Sequence, residues 1–417
     1  LGKEIDLRRW IVFLILAMTA FEANAVIAAP APTAVVAPSA RTSPSATPQA
    51  DTTFNVLCYH RFIFHPVKTT SDYLMPVDDF RWQMQYLKDN GFTPISVQQL
   101  LDFWDRGTPL PPKPVLLTFD DGFKSVYEKA FPVMKEFHYP GILFLISSFV
   151  QTGDAWGLHH KDNDGRMALN DAEIREMEKA GLVVESHTVS HLNMGLEAEK
   201  RTPADFKELA QKELGYPVGF FAGKFGQKPE LLAYPYGVYN DEVLKETAAL
   251  YRLAFTVNAG PNDRTVDPYK LRRFLILGDT SQKEFSAMLE DKVLHIAHAG
   301  PGDGQVIWSR KPLISIQILD EVDPKSVVLS LESRRLKTTY DPQLRLVTYR
   351  VEQPIRMGGH QLTLRAKDLA GSTRVFSWYF RVKHRLEPAM SPTPSAATLV
   401  MVSPTPVVMM KVGHDSK

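Results

Sequence analysis

Two short stretches carry residues that can do chemistry. In the first, the apolar run Val115-Leu116-Leu117-Thr118-Phe119 ends in Asp120, Asp121 and Gly122. Adjacent carboxylates at the end of a buried strand repel each other, so each needs a neutralising partner: a metal ion, a proton or an arginine. In the second, Leu182-Val183-Val184-Glu185-Ser186 runs into His187-Thr188-Val189-Ser190-His191, with two imidazoles four residues apart. A carboxylate and two imidazoles leave the remaining positions of a metal ion open for water, which is the layout of a hydrolytic site. An Asp-Asp-Gly turn, a core histidine and a surface histidine are the purely structural readings of the same residues. Two such stretches in one chain, each at an expected strand end, favour chemistry.

The elements that must position these residues follow from the pattern around them. Strands apolar on both faces belong to parallel sheets covered by helices, and in such folds chemistry gathers at the carboxyl ends of the strands. Phe54 to His60 reads as one more such strand ending in a histidine, and Phe80, Met84 and Leu87 recur on one helical face before Asn90-Gly91. Asn170 and Glu173 form a capping pair at the start of a further helix. Repeated strand-helix units through Leu277 predict an α/β fold with a parallel sheet, and the pattern alone leaves open sheet and barrel both standing. Beyond about Gly304, short alternating segments from Leu313 to Val382, broken by turns such as Gly358-Gly359, predict a small all-β sandwich.

Composition sets the outer bounds. A length of 417 residues suits two or three domains, and a net charge of +1 gives no case for nucleic acid. Cys58 is the sole cysteine, which excludes an intrachain disulfide. Lys3, Arg8 and Arg9 precede an apolar run from Trp10 to Phe21, followed by Ala23-Asn24-Ala25. That is the layout of a cleaved secretory signal peptide, with an uncleaved anchor as the alternative, and it points to a secreted or periplasmic protein. The expected organisation is a signal peptide over 1–25, an Ala/Pro-rich linker over 26–53, an α/β domain over 54–304, a β-sandwich over 305–385 and a disordered tail over 386–417.

Thr118-Phe119-Asp120-Asp121-Gly122 followed by His187-Thr188-Val189-Ser190-His191 resembles the first two motifs of the polysaccharide deacetylases, carbohydrate esterase family 4, which share the NodB homology domain. The resemblance implies an irregular (β/α) barrel, usually of seven strands. It implies metal-dependent hydrolytic N-deacetylation of an extracellular or cell-wall N-acetylglucosamine polysaccharide, so the expected partner is an N-acetylated polysaccharide. It maps Asp121, His187 and His191 onto the metal ligands and Asp120 onto the general base. One divalent ion is expected; Zn2+ suits the ligand set best, and Co2+ or another divalent ion fits the same three ligands.

Tyr234-Pro235-Tyr236-Gly237 resembles the third motif, in which the backbone N–H at the Tyr236 position helps form the oxyanion hole. Here the chain departs from the commonest pattern, because Ala233 stands where an arginine normally steadies the base. The subgroup acting on poly-β-1,6-N-acetylglucosamine also tends to lack that arginine. Leu271-Arg272-Arg273-Phe274 offers a replacement, and on an alternating strand one of the two arginines faces inward; Arg273 is preferred. For the general acid, the Tyr59-His60 start resembles the permuted poly-N-acetylglucosamine deacetylase-like subgroup and favours His60, with His298 in Leu294-His295-Ile296-Ala297-His298 as the alternative. The segment Gly359 to Gly371 resembles bacterial immunoglobulin-like or fibronectin-like modules, which suggests cell-wall or exopolysaccharide association through the sandwich. Two rival functions remain open on sequence: an O-acetyl esterase acting on xylan or peptidoglycan sugars, and a polysaccharide-binding protein without turnover.

Overall fold

The structure, a computed structural model, describes residues 52–64, 73–153 and 167–384. The expected signal peptide, nearly all of the linker and the expected tail lie outside the described residues. Seven strands form one continuous parallel sheet: β1 (Asn55–Tyr59), β2 (Pro114–Asp121), β3 (Gly141–Leu145), β4 (Leu182–Ser186), β5 (Leu231–Ala233), β6 (Leu253–Phe255) and β7 (Phe274–Leu275). Their spatial order is β7-β1-β2-β3-β4-β5-β6, and Thr93–Pro94 adds a short pairing to β2. A parallel bridge between Phe255 and Leu271 draws the two ends of this order together. The result is the curled barrel of parallel strands and helices that the resemblance implied.

All eight residues of β2 are buried, as its unbroken apolar run requires. Alternation sorts the side chains of the strands. Leu57, Leu117 and Leu143 pack outward with Phe80, Met84 and Leu87 of the helix Val77–Asp89. Val56, Leu116, Ile142 and Phe144 join Leu231, Leu253 and Phe255 in a second core, which takes Leu100 and Leu101 from the helix Val97–Arg106. Cys58, Thr118 and Asp120 share the parity of Val56 and Leu116, so the inner face of the barrel becomes polar toward its carboxyl end. The helices begin where capping chemistry allows. Ser96 with Gln99, and Asn170 with Glu173, each form a reciprocal capping box.

The C-terminal region is two mainly antiparallel sheets closed on a core that includes Ile316, Leu329, Leu364 and Trp378. One is built around the ten-residue ladder of Gly358–Lys367 with Thr373–Val382; the other contains Ile296–Gly300, Leu313–Ile318 and Leu346–Arg350. These sheets begin ahead of residue 305: Lys292–Val293 pairs with Thr373–Val382, and Ile296–Gly300 pairs with Leu313–Ile318. The apolar stretch before His298 is therefore sandwich, and β7 is the last strand of the barrel sheet. Among the described residues, no helix is long and apolar enough to cross a membrane.

Candidate metal-dependent active site

Asp120 and Asp121 sit at the carboxyl end of β2, and the sheet gives each a different neighbour. Asp120 meets Arg273, whose guanidinium donates a two-pronged fork to Oδ1 at 2.7 Å and Oδ2 at 2.8 Å. The same side chain donates from Nε to the Thr256 carbonyl at 2.9 Å, and Arg273 is fully buried. Its place follows from the closing seam of the barrel. Leu271 bridges to β6, Arg273 N–H donates to the Asn258 carbonyl at 3.1 Å, and Phe274 then pairs with β1 beside β2. Arg272, one residue earlier, points the other way and lays its guanidinium 4.8 Å from the ring centre of Phe376 in the sandwich. Burial alone would raise the Asp120 carboxyl, but the Arg273 charge, with His187 close by, outweighs it and holds Asp120 well below the usual carboxylate range. The Cys58 thiol donates to Asp120 Oδ2 at 3.4 Å, and burial pushes that thiol well up, keeping it protonated.

Asp121 has no such cation. It adopts a left-handed backbone at φ 74, and its Oδ1 lies 3.4 Å from Nε2 of His187 and 3.4 Å from Nε2 of His191. His187 hydrogen-bonds through Nδ1 to the Ala233 carbonyl at 2.7 Å; a carbonyl only accepts, so Nδ1 carries the proton. Nε2 of the neutral ring then presents a lone pair to a carboxylate oxygen that is buried without a hydrogen-bond partner among the described residues. Two lone pairs facing across such a gap call for a cation between them. The imidazole responds to the same need: burial opposes its charge, yet Asp121 and Asp120 lift His187 above its ordinary value. His191, pushed down to about 4 by burial and by His187, is neutral and available as a ligand at neutral pH. The donor atoms of Asp121, His187 and His191 lie within 4.8 Å of one another. A divalent ion fits this set. Cys58, His60 and Asp120 are also close enough to form a triad, but both Asp120 oxygens are engaged by Arg273 and the thiol is protonated, so that cluster does not suit a metal.

Around these groups opens a cavity of about 430 Å3 lined by His60, Tyr73, Phe123, Tyr236, Val257 and Leu275 among others. His60 follows β1; its Nδ1 is buried without a hydrogen-bond partner among the described residues, and burial lowers its pKa below the ordinary value. Tyr236 is 59% exposed, with its ring 4.6 Å from that of His191 and its backbone at φ 60. Gly237 is forced by space as well as by its φ of 66: a Cβ there would lie 2.6 Å from the Val257 amide nitrogen. Four of the eight described non-glycine residues with positive φ (Asp121, Thr188, His191 and Tyr236) fall at this one site. Such concentration of strain is a mark of functional loops.

The barrel thus brings together Asp120, Asp121, His187, His191, Arg273, His60 and Tyr236. His298 is not among them; it is exposed on Ile296–Gly300, opposite Gln317. Sequence reasoning passed over Cys58 and Thr118, which touch Asp120 and Arg273 respectively. Both lie two residues before a singled-out residue on the same strand face, so alternation was the signal that could have found them.

Residues 107–254 match the family "Polysaccharide deacetylase". The Bacillus subtilis (strain 168) protein YxkH is 26% identical over 230 residues, which are 55% of this chain and 75% of YxkH. The poly-β-1,6-N-acetyl-D-glucosamine N-deacetylase of Escherichia coli (strain K12) is 28% identical over 233 residues. That match takes in 50% of this chain and 34% of the relative, so the chain spans about a third of that protein's length. Among solved structures, the Streptococcus pyogenes deacetylase PplD aligns with a TM-score of 0.50 at 24% identity, covering 58% of this chain and 99% of that one; the likeness is one of fold. The family match contains Asp120, Asp121, His187, His191 and Tyr236 and leaves His60 and Arg273 outside it.

Proposed function

We propose that this chain, which carries a polysaccharide deacetylase domain of the NodB type, hydrolyses the N-acetyl groups of an N-acetylglucosamine polysaccharide outside the cytoplasm. The observation that carries the proposal is the contrast across one peptide bond: Asp120 is neutralised by a fixed guanidinium, while Asp121 faces two imidazoles with room for a cation. Asp121, His187 and His191 would hold one divalent ion, Zn2+ by ligand type, which supplies Lewis acidity toward the acetyl carbonyl. The remaining roles belong to the protein. Asp120, kept ionised by Arg273, takes a proton from the attacking water. Tyr236 N–H donates to the oxygen that gains negative charge as the water oxygen bonds to the acetyl carbon. His60 gives its proton to the nitrogen as the carbon–nitrogen bond breaks, so acetate and a free amine leave. Burial makes the His60 imidazolium a readier donor.

Export rests on the basic-then-apolar stretch through Phe21 and the Ala23-Asn24-Ala25 site after it. The sandwich is assigned as an immunoglobulin-like accessory module that holds the barrel against wall or exopolysaccharide. Acetate release from poly-β-1,6-N-acetylglucosamine, chitooligosaccharides, peptidoglycan and acetylxylan separates the readings. Turnover of an N-acetylated glycan supports the proposal. Release from acetylxylan alone would replace it with an O-acetyl esterase, and glycan binding without acetate would replace it with a binding protein.

A further inference from the structure

The loop that carries both histidines is held in a costly shape. Thr188 and His191 lie in the left-handed region at φ 68 and φ 59, which a β-branched residue in particular resists. Such a turn relaxes unless its surroundings over-determine it. On one side, Ser147 N–H and Ser148 N–H donate to the Thr188 and Val189 carbonyls at 3.1 Å each. On the other stands a carboxylate from a distant element. Glu213, 7% exposed, accepts from Val189 N–H at 3.2 Å, Ser190 N–H at 3.0 Å and the Ser190 hydroxyl at 2.7 Å. Those are the two residues between the left-handed pair. Among the described residues no lysine or arginine pairs with Glu213, so its charge is met by amide and hydroxyl donors.

Glu213 lies in a single π-turn, Gln211–Gly215, between the helices Pro203–Ala210 and Tyr216–Phe225. Such turns insert one residue into a helix and recur at functional sites. The next residue in this turn reaches the other flank of the loop. The Leu214 carbonyl accepts from the Tyr251 hydroxyl at 2.6 Å, and that hydroxyl lies 2.9 Å from Ser186 Oγ, just before His187. One π-turn is therefore tied to the chain on both sides of His187.

We infer that Glu213 is a positioning residue that sets the metal affinity of the site, by holding residues 188–191 in the shape that keeps His187 and His191 together on Asp121. The inference rests on the metal site proposed above. Three measurements on the full chain test it: Zn2+ affinity by chelator competition, the visible spectrum of the Co2+-loaded protein, and the melting temperature of the metal-free protein. Glu213→Ala is expected to weaken Zn2+ binding by about 10–100-fold and to alter the Co2+ spectrum. Glu213→Gln, whose amide oxygen still accepts from both N–H groups, is expected to keep affinity within about fivefold of wild type. A Glu213→Ala protein with a lowered melting temperature but wild-type affinity and spectrum would overturn the inference, because the carboxylate would then serve the fold alone. Should that variant not fold, Ser190→Ala removes only the hydroxyl contact and is expected to weaken binding by about threefold; unchanged affinity there would overturn the inference too. Failure of the wild-type chain to bind Zn2+ or Co2+ is a distinct result, which would overturn the metal site itself.

Discussion

His187 and His295 are each set near two aspartates, one at the strand ends of the barrel and the other where the barrel meets the sandwich. In the junction, His295 Nε2 lies 2.9 Å from Asp263 and Nδ1 lies 2.9 Å from Asp320. Both nitrogens donate, so the ring is an imidazolium, and Asp263 and Asp320 lift its pKa to about 10. In the pocket, Nδ1 of His187 is committed to a backbone carbonyl, and Nε2 stands off at 3.4 Å from Asp121 and 4.0 Å from Asp120. A carboxylate on each nitrogen makes a fixed clamp. A carbonyl on one nitrogen and a wider gap at the other leave the second nitrogen's lone pair open to the ion proposed above. The partner of the second nitrogen tells the two apart.

The comparison breaks most sharply if the two histidines respond alike. His187→Ala is expected to strip the metal and abolish turnover while leaving a folded barrel, read by elemental analysis and acetate release. His295→Gln is expected to keep full metal content and turnover within about tenfold, a barrier change of roughly 1.4 kcal/mol or less. Equal metal loss in both would mean that the junction, too, controls the site.

The next effect sharpens the pocket's side of the contrast. His60→Ala is expected to slow amide turnover by about 10²–10⁴ while retaining metal and sparing a nitrophenyl acetate, whose leaving group needs no proton. His298→Ala, altering the exposed sandwich histidine, is expected to change neither rate. A loss confined to His298→Ala would reverse the assignment of the acid.

Arg273→Met tests the fixed cation beside Asp120. It leaves a buried carboxylate without its partner and is expected to cost about 3–5 kcal/mol of stability, measured by denaturant unfolding. A cost under about 1 kcal/mol would mean that Asp120 is neutralised by something else.

The smallest expected effect is a pH dependence at the junction. His295 has a folded pKa raised from 6.5 to about 10, so its contribution to stability is complete below pH 6.5 and lost as the pH rises through about 10. The groups facing it are Asp263 and Asp320, with Arg374 3.5 Å from Asp320. Melting temperature should therefore fall between those limits in the wild type, and His295→Gln should flatten that part of the curve. A parallel fall in the variant would place the titration elsewhere.

Much of this was legible before any coordinates. The unbroken apolar run of β2 marked a doubly buried strand, and alternation on Leu271 to Phe274 allowed only one of Arg272 and Arg273 to face inward; which one depends on how Leu271 and Phe274 pair with the neighbouring strands. The strand ending in His60 was legible, but the same texture ends in His298, and the preference for His60 came from the resemblance of the Tyr59-His60 start. The limits are equally physical. Leu294 to His298 has the local texture of a barrel strand ending in a histidine; its pairing with Leu313–Ile318, a long-range choice, puts it in the sandwich. Glu213 was hidden because a π-turn has no sequence period and its carboxylate sits amid an ordinary helical pattern. Alternation could place Cys58 on the inner face, but its contact with Asp120 depends also on the register of β1 against β2, which the local pattern does not set.

The most direct test couples metal to chemistry in the unaltered chain. Metal content and acetate release from poly-β-1,6-N-acetylglucosamine are followed together through chelation and stepwise return of Zn2+. The expected result is about one equivalent of ion per chain, with acetate release lost and regained in proportion to it. Acetate release that persists in the metal-free protein, or a fully metal-loaded protein that releases none from any N-acetylated glycan, would contradict it.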